Sequence, residues 1–509
     1  MRVLLIQPPY DLDRDDERQA VPPLGLAYMA AVLEQHGHEV RIIDCVAEDF
    51  ARIAPLPDGQ RRHGLSDAVL ADRMTDFDPD LVGVSCLFSA QATAAHQVCA
   101  LAKQAVPRAR TIMGGAHPSA APDRVAADPN VDAVCLGEGE RTMLRLADHL
   151  ARGIFPPPDP AGLAFRRDGQ TYTHPMAERI ETLDLLPMPA RHLLPMNAYL
   201  AARAPHGGHV RRQPCTNLIT SRGCPARCSF CSIHTVWGRR FRCHSPERVL
   251  AELEHLVQTY GVREVQFEDD NLTLHKPRIR TICQEMIDRD LDLLWTTPNG
   301  AAIWALDEPL IDLMRRAGCH HITLAVESGS PRVLKELIRK PLDLAKVAPI
   351  IRACRRVGMG VSVFFVVGFP GETREEIART FEFAMELDAD QACFFTATPL
   401  PGTELYRQCL ETGALTEPVD FRRLRVGQPI FDTAEWTADE LVEMTRRAQE
   451  RFYRRAARRH PVRFFNAGLA RLVREPRNTL DLLARTFLPG GSGRQSDGTS
   501  SCRPAAAGT

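Results

Sequence analysis

The chain has almost no net charge. Its 63 Lys and Arg stand against 64 Asp and Glu, leaving -1 at pH 7, so it lacks the basic footprint that nucleic acid or an anionic membrane surface calls for. It also lacks an apolar run of spanning length. The first such run, Val3-Leu-Leu-Ile6, is a strand pattern rather than the core of a signal peptide. A soluble cytoplasmic protein is the expectation. Cysteines number 15, yet signs of disulfide pairing are missing. Cys86, Cys135 and Cys393 are singletons inside apolar runs, which read as buried thiols in a reducing compartment. A length of 509 residues predicts about two to four domains, each large enough to bury its own core.

What is present is two successive series of strand and helix patterns. Residues 1–152 carry short apolar runs at Val3–Ile6, Val40–Ile43, Leu81–Ser85, Thr111–Met113 and Ala133–Leu136, separated by helical patterns such as Leu24–Gln35, closed by Gly37. This predicts an α/β fold with a doubly wound, Rossmann-like parallel sheet. Ligands of such sheets bind at the carboxyl ends of the strands. Those ends carry Gln7-Pro8-Pro9, Ser85, Gly114-Gly115-Ala116-His117 and Gly137-Glu138-Gly139-Glu140, where glycines would let backbone approach a large flat ligand. Each alone also fits an ordinary strand-to-helix turn. Residues 153–213, with Phe155-Pro-Pro-Pro-Asp-Pro160 and Leu186-Pro-Met-Pro189, read as a linker with little regular structure.

The second series occupies residues 214–412. Strand patterns at Thr216–Thr220, Glu264–Phe267, Leu294–Thr297, His321–Ala325, Val361–Val367 and Gln391–Ala397 alternate with helical ones such as Pro246–Tyr260 and Arg374–Leu387. Six such units predict a partial (β/α)6 barrel of TIM type. Residues 413–488 read as a helical cap, in which Thr437-Ala-Asp-Glu440 fits a capping box and Arg446 to Arg459 make a basic end. The Gly, Ser and Ala-rich residues 489–509 read as a disordered tail.

Directly after the first strand of the second series comes Cys224-Pro-Ala-Arg-Cys228-Ser-Phe-Cys231. A cubane iron–sulfur cluster normally takes four thiolates. Three would leave one iron open, and an open position is what separates a catalytic metal site from a structural one. The same residues also admit a Cys₃His zinc site with His234, or a fully ligated cluster completed by Cys215 or Cys243. Further polar motifs fall at the ends of later strands: Glu268-Asp269-Asp270-Asn271, Glu327-Ser328-Gly329, Gly368-Phe-Pro-Gly-Glu372 and Pro399-Leu-Pro-Gly402. Their convergence on one rim predicts a single active site.

The Cys-x₃-Cys-x₂-Cys spacing, with an aromatic before the last cysteine, resembles the signature of the radical S-adenosylmethionine (SAM) enzymes. Pro22-Pro-Leu-Gly-Leu26, Gly114-Gly115 and Gly137-Glu-Gly-Glu140 resemble the cobalamin-binding domain that precedes many of them. The resemblance implies that Cys224, Cys228 and Cys231 hold a [4Fe–4S] cluster and that Phe230 packs near the adenine of SAM. It also implies that Glu268, Asp269 and Asp270 stand where the family has Gly-Gly-Glu, that Glu327 and Ser328 meet the ribose and methionyl end, and that Val367 and Gly368 lie beside the adenine. Ser85, Gly114, Gly115, His117, Gly137, Glu138 and Gly139 are the implied cobalamin contacts. Two departures matter. Neither family glycine is present before the acidic group, which leaves open which carboxylate receives the SAM amino group. The Asp-x-His-x-x-Gly motif is absent, which fits either cobalamin bound without a histidine ligand or a first domain that binds none.

The chemistry so implied is methylation of an unactivated carbon or phosphorus centre in a small-molecule intermediate. It would use a 5′-deoxyadenosyl radical, methylcobalamin and an external flavodoxin- or ferredoxin-like electron donor. Phe267-Glu-Asp-Asp-Asn271, Trp295-Thr-Thr-Pro298, Thr235-Val-Trp-Gly238 and Arg332–Lys340 look similar to the fosfomycin-type phosphonate methylases. Arg239, Arg240 and Arg242 could then meet an anionic substrate, or else brace the nearby acids. An oxidative cyclase without methyl transfer and a non-catalytic zinc or iron–sulfur binding protein are the alternatives.

Overall fold

The computed structural model describes residues 1–13, 16–425 and 427–461. Two parallel sheets organise it. The first contains β1 (Arg2–Gln7), β2 (Glu39–Asp44), β3 (Leu81–Ser85), β4 (Arg110–Gly114), β5 (Ala133–Cys135), β6 (Leu163–Arg167) and β7 (Gln170–Thr173), in the order β7-β6-β5-β4-β3-β1-β2. The five strands β1 to β5 are mutually parallel, and their near-continuous burial explains why they read as apolar runs rather than alternations. The helices α1 (Leu24–Gln35), α2 (Asp67–Phe77) and α3 (Ala92–Ala105) cross over between successive strands, and α4 (Gly139–Leu150) follows β5. The order 2-1-3-4-5 puts the topological switch between β1 and β3.

The stretch expected to be an irregular linker departs from that expectation in two ways. Residues 163–173 form the antiparallel hairpin β6–β7, which extends the first sheet beyond β5. Its turn is Asp168-Gly169, both residues at positive φ, a sequence suited to a tight hairpin. Residues 206–212 thread the barrel. His206 meets Glu268 near the carboxyl ends of the strands, the Gly207 carbonyl accepts from Gln266 at 3.3 Å, and His209 stacks on His321 with centroids 3.5 Å apart. The amides of Arg211 and Arg212 then donate to Glu264 near the amino ends. A partial barrel leaves its interior short of side chains, and this segment fills it.

The second sheet runs in sequence order: β8 (Cys215–Leu218), β9 (Glu264–Phe267), β10 (Leu294–Ala301), β11 (Cys319–Glu327), β12 (Gly360–Val367) and β13 (Gln391–Thr396). All its pairings are parallel. The helices α5 (Pro246–Tyr260), α6 (Lys276–Asp288), α7 (Glu308–Arg316), α8 (Val347–Arg356) and α9 (Arg374–Glu386) wrap it, several with Pro in the first turn behind a Ser, His or Asp cap. The cap helix α10 (Ala438–Arg459) begins with the expected Thr437–Glu440 capping box. Its Gln449 side chain donates to the Ala392 carbonyl of β13 at 2.7 Å. The basic end is largely a solvated face, with Arg446, Arg447 and Arg451 paired to Glu443, Glu450 and Glu382. The expected tail at 489–509, and the expected helical residues after 461, lie outside the described residues. No described helix is long and apolar enough to cross a membrane.

Candidate active site

A cavity opens at the carboxyl ends of the first sheet, beside the β1/β3 switch point. Gln7, Ser85, Gly114, Gly115, Gly137, Glu138 and Gly139 line it. Gly115 holds φ +118, and a Cβ there would stand 2.6 Å from the Cys86 carbonyl oxygen, so any other residue would break this turn. Two buried polar atoms on the wall, Gln7 Oε1 and Trp237 Nε1, have no hydrogen-bond partner among the described residues. An acceptor and a donor left over in a largely apolar cavity fit a ligand fringed with amides, which cobalamin is.

His117 does not face this cavity. The short helix Ala116–Ala120 turns it outward, where Nδ1 meets Ser89 Oγ at 3.0 Å and the ring packs edge-on against Phe421. Burial, with His96 and Arg124 nearby, pushes its pKa down to about 3. The Glu138 carboxylate is likewise taken, by Arg242 and the Ile180 amide, so that residue offers the cavity its backbone. The histidine on the cavity wall is His206, from the barrel-threading segment, and it is bonded to Glu268 at 2.5 Å. Composition and periodicity gave no sign of it; only its neighbour Gly207, where a Cβ would lie 3.1 Å from Pro298, marks a close approach.

The cysteine loop leaves β8 at the neighbouring rim. Cys224, Cys228 and Cys231 are partly buried, and each of the latter two lies within electrostatic reach of its fellow cysteines. Burial raises Cys228 to about 11, opposed by the Lys340 ammonium, and raises Cys231 further. Such thiols need a cationic centre to ionise. Among the described residues no three His, Cys, Asp or Glu side chains converge tightly enough for a single metal ion. Three thiols grouped on one loop are the ligand type that an iron–sulfur cluster takes. His234 is also committed elsewhere, bonding the Cys231 carbonyl at 3.0 Å and the Gly402 backbone. Cys215 begins β8, at the end away from the loop, and the groups around Cys243 are Arg278, Asp269 and Asp184.

The three acids after β9 have three different fates. Glu268 bonds His206 and the Asn299 amide. Asp269 braces the stem of the cysteine loop, accepting from the Thr220 amide at 3.1 Å, the Thr220 hydroxyl at 2.7 Å and the Ser221 hydroxyl. Asp270 acts electrostatically on Cys231, and its Oδ2 is buried with no partner among the described residues. Burial, with Asp269 and Glu268 close by, raises its pKa to about 7. Glu268 Oε1 is likewise buried without a partner among the described residues, but that carboxylate is already bonded through Oε2.

Glu327 ends β11 at a bulge, with φ +72, a strained conformation for a non-glycine residue. The bend sets its carboxylate 2.9 Å from Lys340 Nζ in a buried pair. Burial works against the lysine's charge, but Glu327 and the thiols of Cys228 and Cys224 hold its pKa above the usual value. The buried Ser328 hydroxyl bonds Thr380 Oγ1 and accepts from the Ser330 amide, both at 3.0 Å. Phe230 packs on Phe369 with centroids 5.9 Å apart. Val367 is fully buried at the end of β12. The Gly368 and Phe369 amides donate to Glu372 Oε2 at 2.6 and 3.0 Å.

That last carboxyl gives a stability prediction. Burial raises Glu372 from 4.5 to about 7, so the folded chain holds a proton that the unfolded chain releases between those values. Its contribution is complete below pH 4.5, falls as pH rises, and is lost above about 7. Glu372→Gln should therefore narrow the loss of stability between pH 5 and pH 8, by roughly a few kcal/mol at most; thermal melts at both pH values measure it.

The fold defines a two-domain enzyme class, with a ligand cavity on a doubly wound sheet and, next to it, a cysteine loop on the rim of a partial barrel. Residues 18–147 match the B12 binding domain family and residues 218–384 the radical SAM superfamily. The chain belongs to the cobalamin-binding radical SAM enzymes, whose cofactors are cobalamin, a [4Fe–4S] cluster and SAM, and within them it groups with methyltransferases. It is 36% identical over 498 residues to the cytidylyl-2-hydroxyethylphosphonate methyltransferase of Streptomyces wedmorensis, covering 92% of this chain and 93% of the relative. It is 28% identical to the anaerobic magnesium-protoporphyrin IX monomethyl ester cyclase of Rubrivivax gelatinosus, over 89% of this chain and 77% of that one. In fold it is similar to the methyltransferase TsrM of Kitasatospora setae, with a TM-score of 0.64 at 18% identity, covering 82% and 79% of the two chains.

Proposed function

We propose that the chain methylates an unactivated carbon or phosphorus centre of a small molecule held between the first-domain cavity and the cysteine loop. One observation carries this reading. Val236 and Trp237, just past Cys231 in the same connection, form part of the first-domain cavity wall, so one segment serves both cofactor places. When bound, the cluster supplies the electron that splits SAM into methionine and a 5′-deoxyadenosyl radical, while cobalamin carries the methyl group.

The residues bind, orient and exclude water. Cys224, Cys228 and Cys231 anchor the cluster, and Lys340 beside Cys228 offsets the charge of the thiolates. Asp270 receives the SAM ammonium, the bent end of β11 sets Glu327 for the ribose, and Phe230, Val367 and Gly368 border the adenine. Ser85, Gly114, Gly115, Gly137 and Gly139 form the cobalamin floor, with Gln7 and Trp237 as amide partners. The buried walls keep solvent hydrogen donors from the radical. An external flavodoxin- or ferredoxin-like protein supplies the electrons.

The substrate class best supported is a nucleotide-linked phosphonate, on the strength of the 36% identical relative. The arginines after the cluster loop do not add to that support. Arg242 is buried against Glu138, and Arg240 is about three-quarters exposed with Glu181 at 2.7 Å. Arg240→Ala should leave turnover within about twofold, as surface pairs contribute little; steady-state rates on the labelled assay below check it. That assay gives the reconstituted enzyme SAM with a deuterated methyl group and a panel of cytidylyl phosphonates. The expected result is a labelled product, with S-adenosylhomocysteine and 5′-deoxyadenosine in near-equal amounts. Deoxyadenosine without S-adenosylhomocysteine would favour the cyclase reading, which the 28% identical relative also supports.

A further inference from the structure

We propose that Arg222 and Arg242 are positioning residues that couple filling of the first-domain cavity to the geometry of the cysteine loop. The proposal rests on the reading that Cys224, Cys228 and Cys231 hold the cluster. The loop is stapled at its base by a two-stranded antiparallel ribbon, Ser221–Arg222 against Arg242–Cys243, with Arg222 opposite Arg242. All three cysteines lie between its strands. Both arginines leave the ribbon for the first domain and end on the same cavity-lining loop. Arg222 Nη2 donates to Glu140 Oε1 at 2.6 Å, with Glu138 at 3.8 Å, and Arg242 Nη2 meets Glu138 Oε1. All four side chains are at most 5% exposed.

The surroundings make this link directional. Arg222 lies over the Trp237 ring at 4.4 Å and within 5.6 Å of Tyr28. Arg242 also donates to the carbonyls of Ile180 at 2.7 Å and Trp237 at 3.0 Å. Glu138, Glu140 and Trp237 all line the cavity. Two positive and two negative charges leave the quartet neutral, and as glue it is no better than apolar packing of the same volume. What planar guanidinium forks add is fixed geometry. The stem has no slack to absorb movement: Gly223, between Arg222 and Cys224, has φ +85, and a Cβ there would lie 2.3 Å from the Arg240 carbonyl oxygen. A shift of the Gly137–Glu140 loop on ligand entry therefore reaches Cys224 through one side chain and one glycine. Packed contacts of this kind switch rather than deform.

Coupling is reciprocal in equilibrium binding, and typical values span about 5- to 150-fold. The test is a cycle on the full-length chain. Hydroxocobalamin affinity is measured by equilibrium dialysis with the cluster reconstituted and again after removal of iron by a chelator. We expect at least about fivefold tighter binding with the cluster present, and an EPR signal of the reduced cluster that changes when cobalamin is added. In Arg222→Lys and in Glu140→Gln the affinity ratio should fall toward one and the EPR change should vanish, while the cluster-free chain still binds cobalamin. The paired variant Arg222→Met with Glu140→Gln, which leaves neither member of that pair charged, should behave the same way and guards against simple misfolding. A wild-type ratio of one with both groups bound, or a full ratio retained in the paired variant, would overturn the coupling alone. Failure of the wild type to take up cobalamin or a four-iron cluster would overturn the functional reading, and the coupling with it.

Discussion

Cys228→Ala should purify folded but without the broad visible absorbance of an iron–sulfur cluster, and should form no 5′-deoxyadenosine from SAM under reducing conditions. Three thiols already are one fewer than a cubane has irons, and two cannot fix its orientation. Cys228 is also the cysteine beside Lys340, which ties the loop to the Glu327 pair at the end of β11. Loss of activity should be on the order of 10³-fold or more, a barrier of at least about 4 kcal/mol. Stability should change far less. The thiol is only partly buried, so losing one sulfur should cost about 1 kcal/mol, or about 2–4 °C in Tm for a domain of this size. A variant that melts cooperatively within a few degrees of the cluster-free wild type, with no iron and no deoxyadenosine, is the expected triad. Full activity in this variant would contradict the ligand assignment.

Asp270→Asn should weaken SAM binding while leaving the cluster in place, and Asp269→Asn should do the opposite. Asp270 has a buried oxygen without a partner, whereas Glu268, whose Oε1 is also unpartnered among the described residues, is already bonded through Oε2 to His206 and Asn299, so removing the Asp270 charge should subtract one charge-assisted hydrogen bond to an ammonium. That is about 1.5–3 kcal/mol, or roughly 10- to 150-fold in affinity. Asp269 instead holds Thr220 and Ser221 at the stem of the cysteine loop, so its change should show as lower iron retention at unaltered SAM affinity. The pH dependence separates them further. Asp270 titrates at about 7 in the ligand-free chain, and only its ionised form attracts the ammonium. Wild-type SAM affinity should therefore decline as pH falls through 7, approaching tenfold per unit, and the Asn variant should be flat. Isothermal titration with SAM at pH 6, 7 and 8 measures both effects.

Much of this architecture was legible because the strands that build it are buried on both faces. Apolar runs such as Leu81–Ser85 and Val361–Val367 fall within strands of the structure almost residue for residue, and the polar motifs that follow them could only sit at carboxyl ends. The misreadings have local causes. His117 follows two glycines at a strand end, but one turn of helix carries its ring away from the cavity. The prolines of 155–160 and 186–189 hid a hairpin whose own signal, Asp168-Gly169, was present in the sequence. Residues 206–212 have no periodicity at all, because a segment filling a barrel pairs with side chains from several strands instead of repeating along one face. The three acids after β9 look alike in sequence; only their bonding partners tell brace, dyad and open carboxylate apart.

On the proposed reading, the three cysteines after β8 form a SAM-cleaving centre beside the first-domain cavity that takes cobalamin. Anaerobic purification in the presence of hydroxocobalamin and cluster reconstitution, then SAM and a strong reductant, test it by mass spectrometry of the nucleosides. The expected result is 5′-deoxyadenosine in amounts that follow the iron content, from protein that retains cobalamin through gel filtration. Protein carrying a full cluster and cobalamin that yields no deoxyadenosine would contradict it.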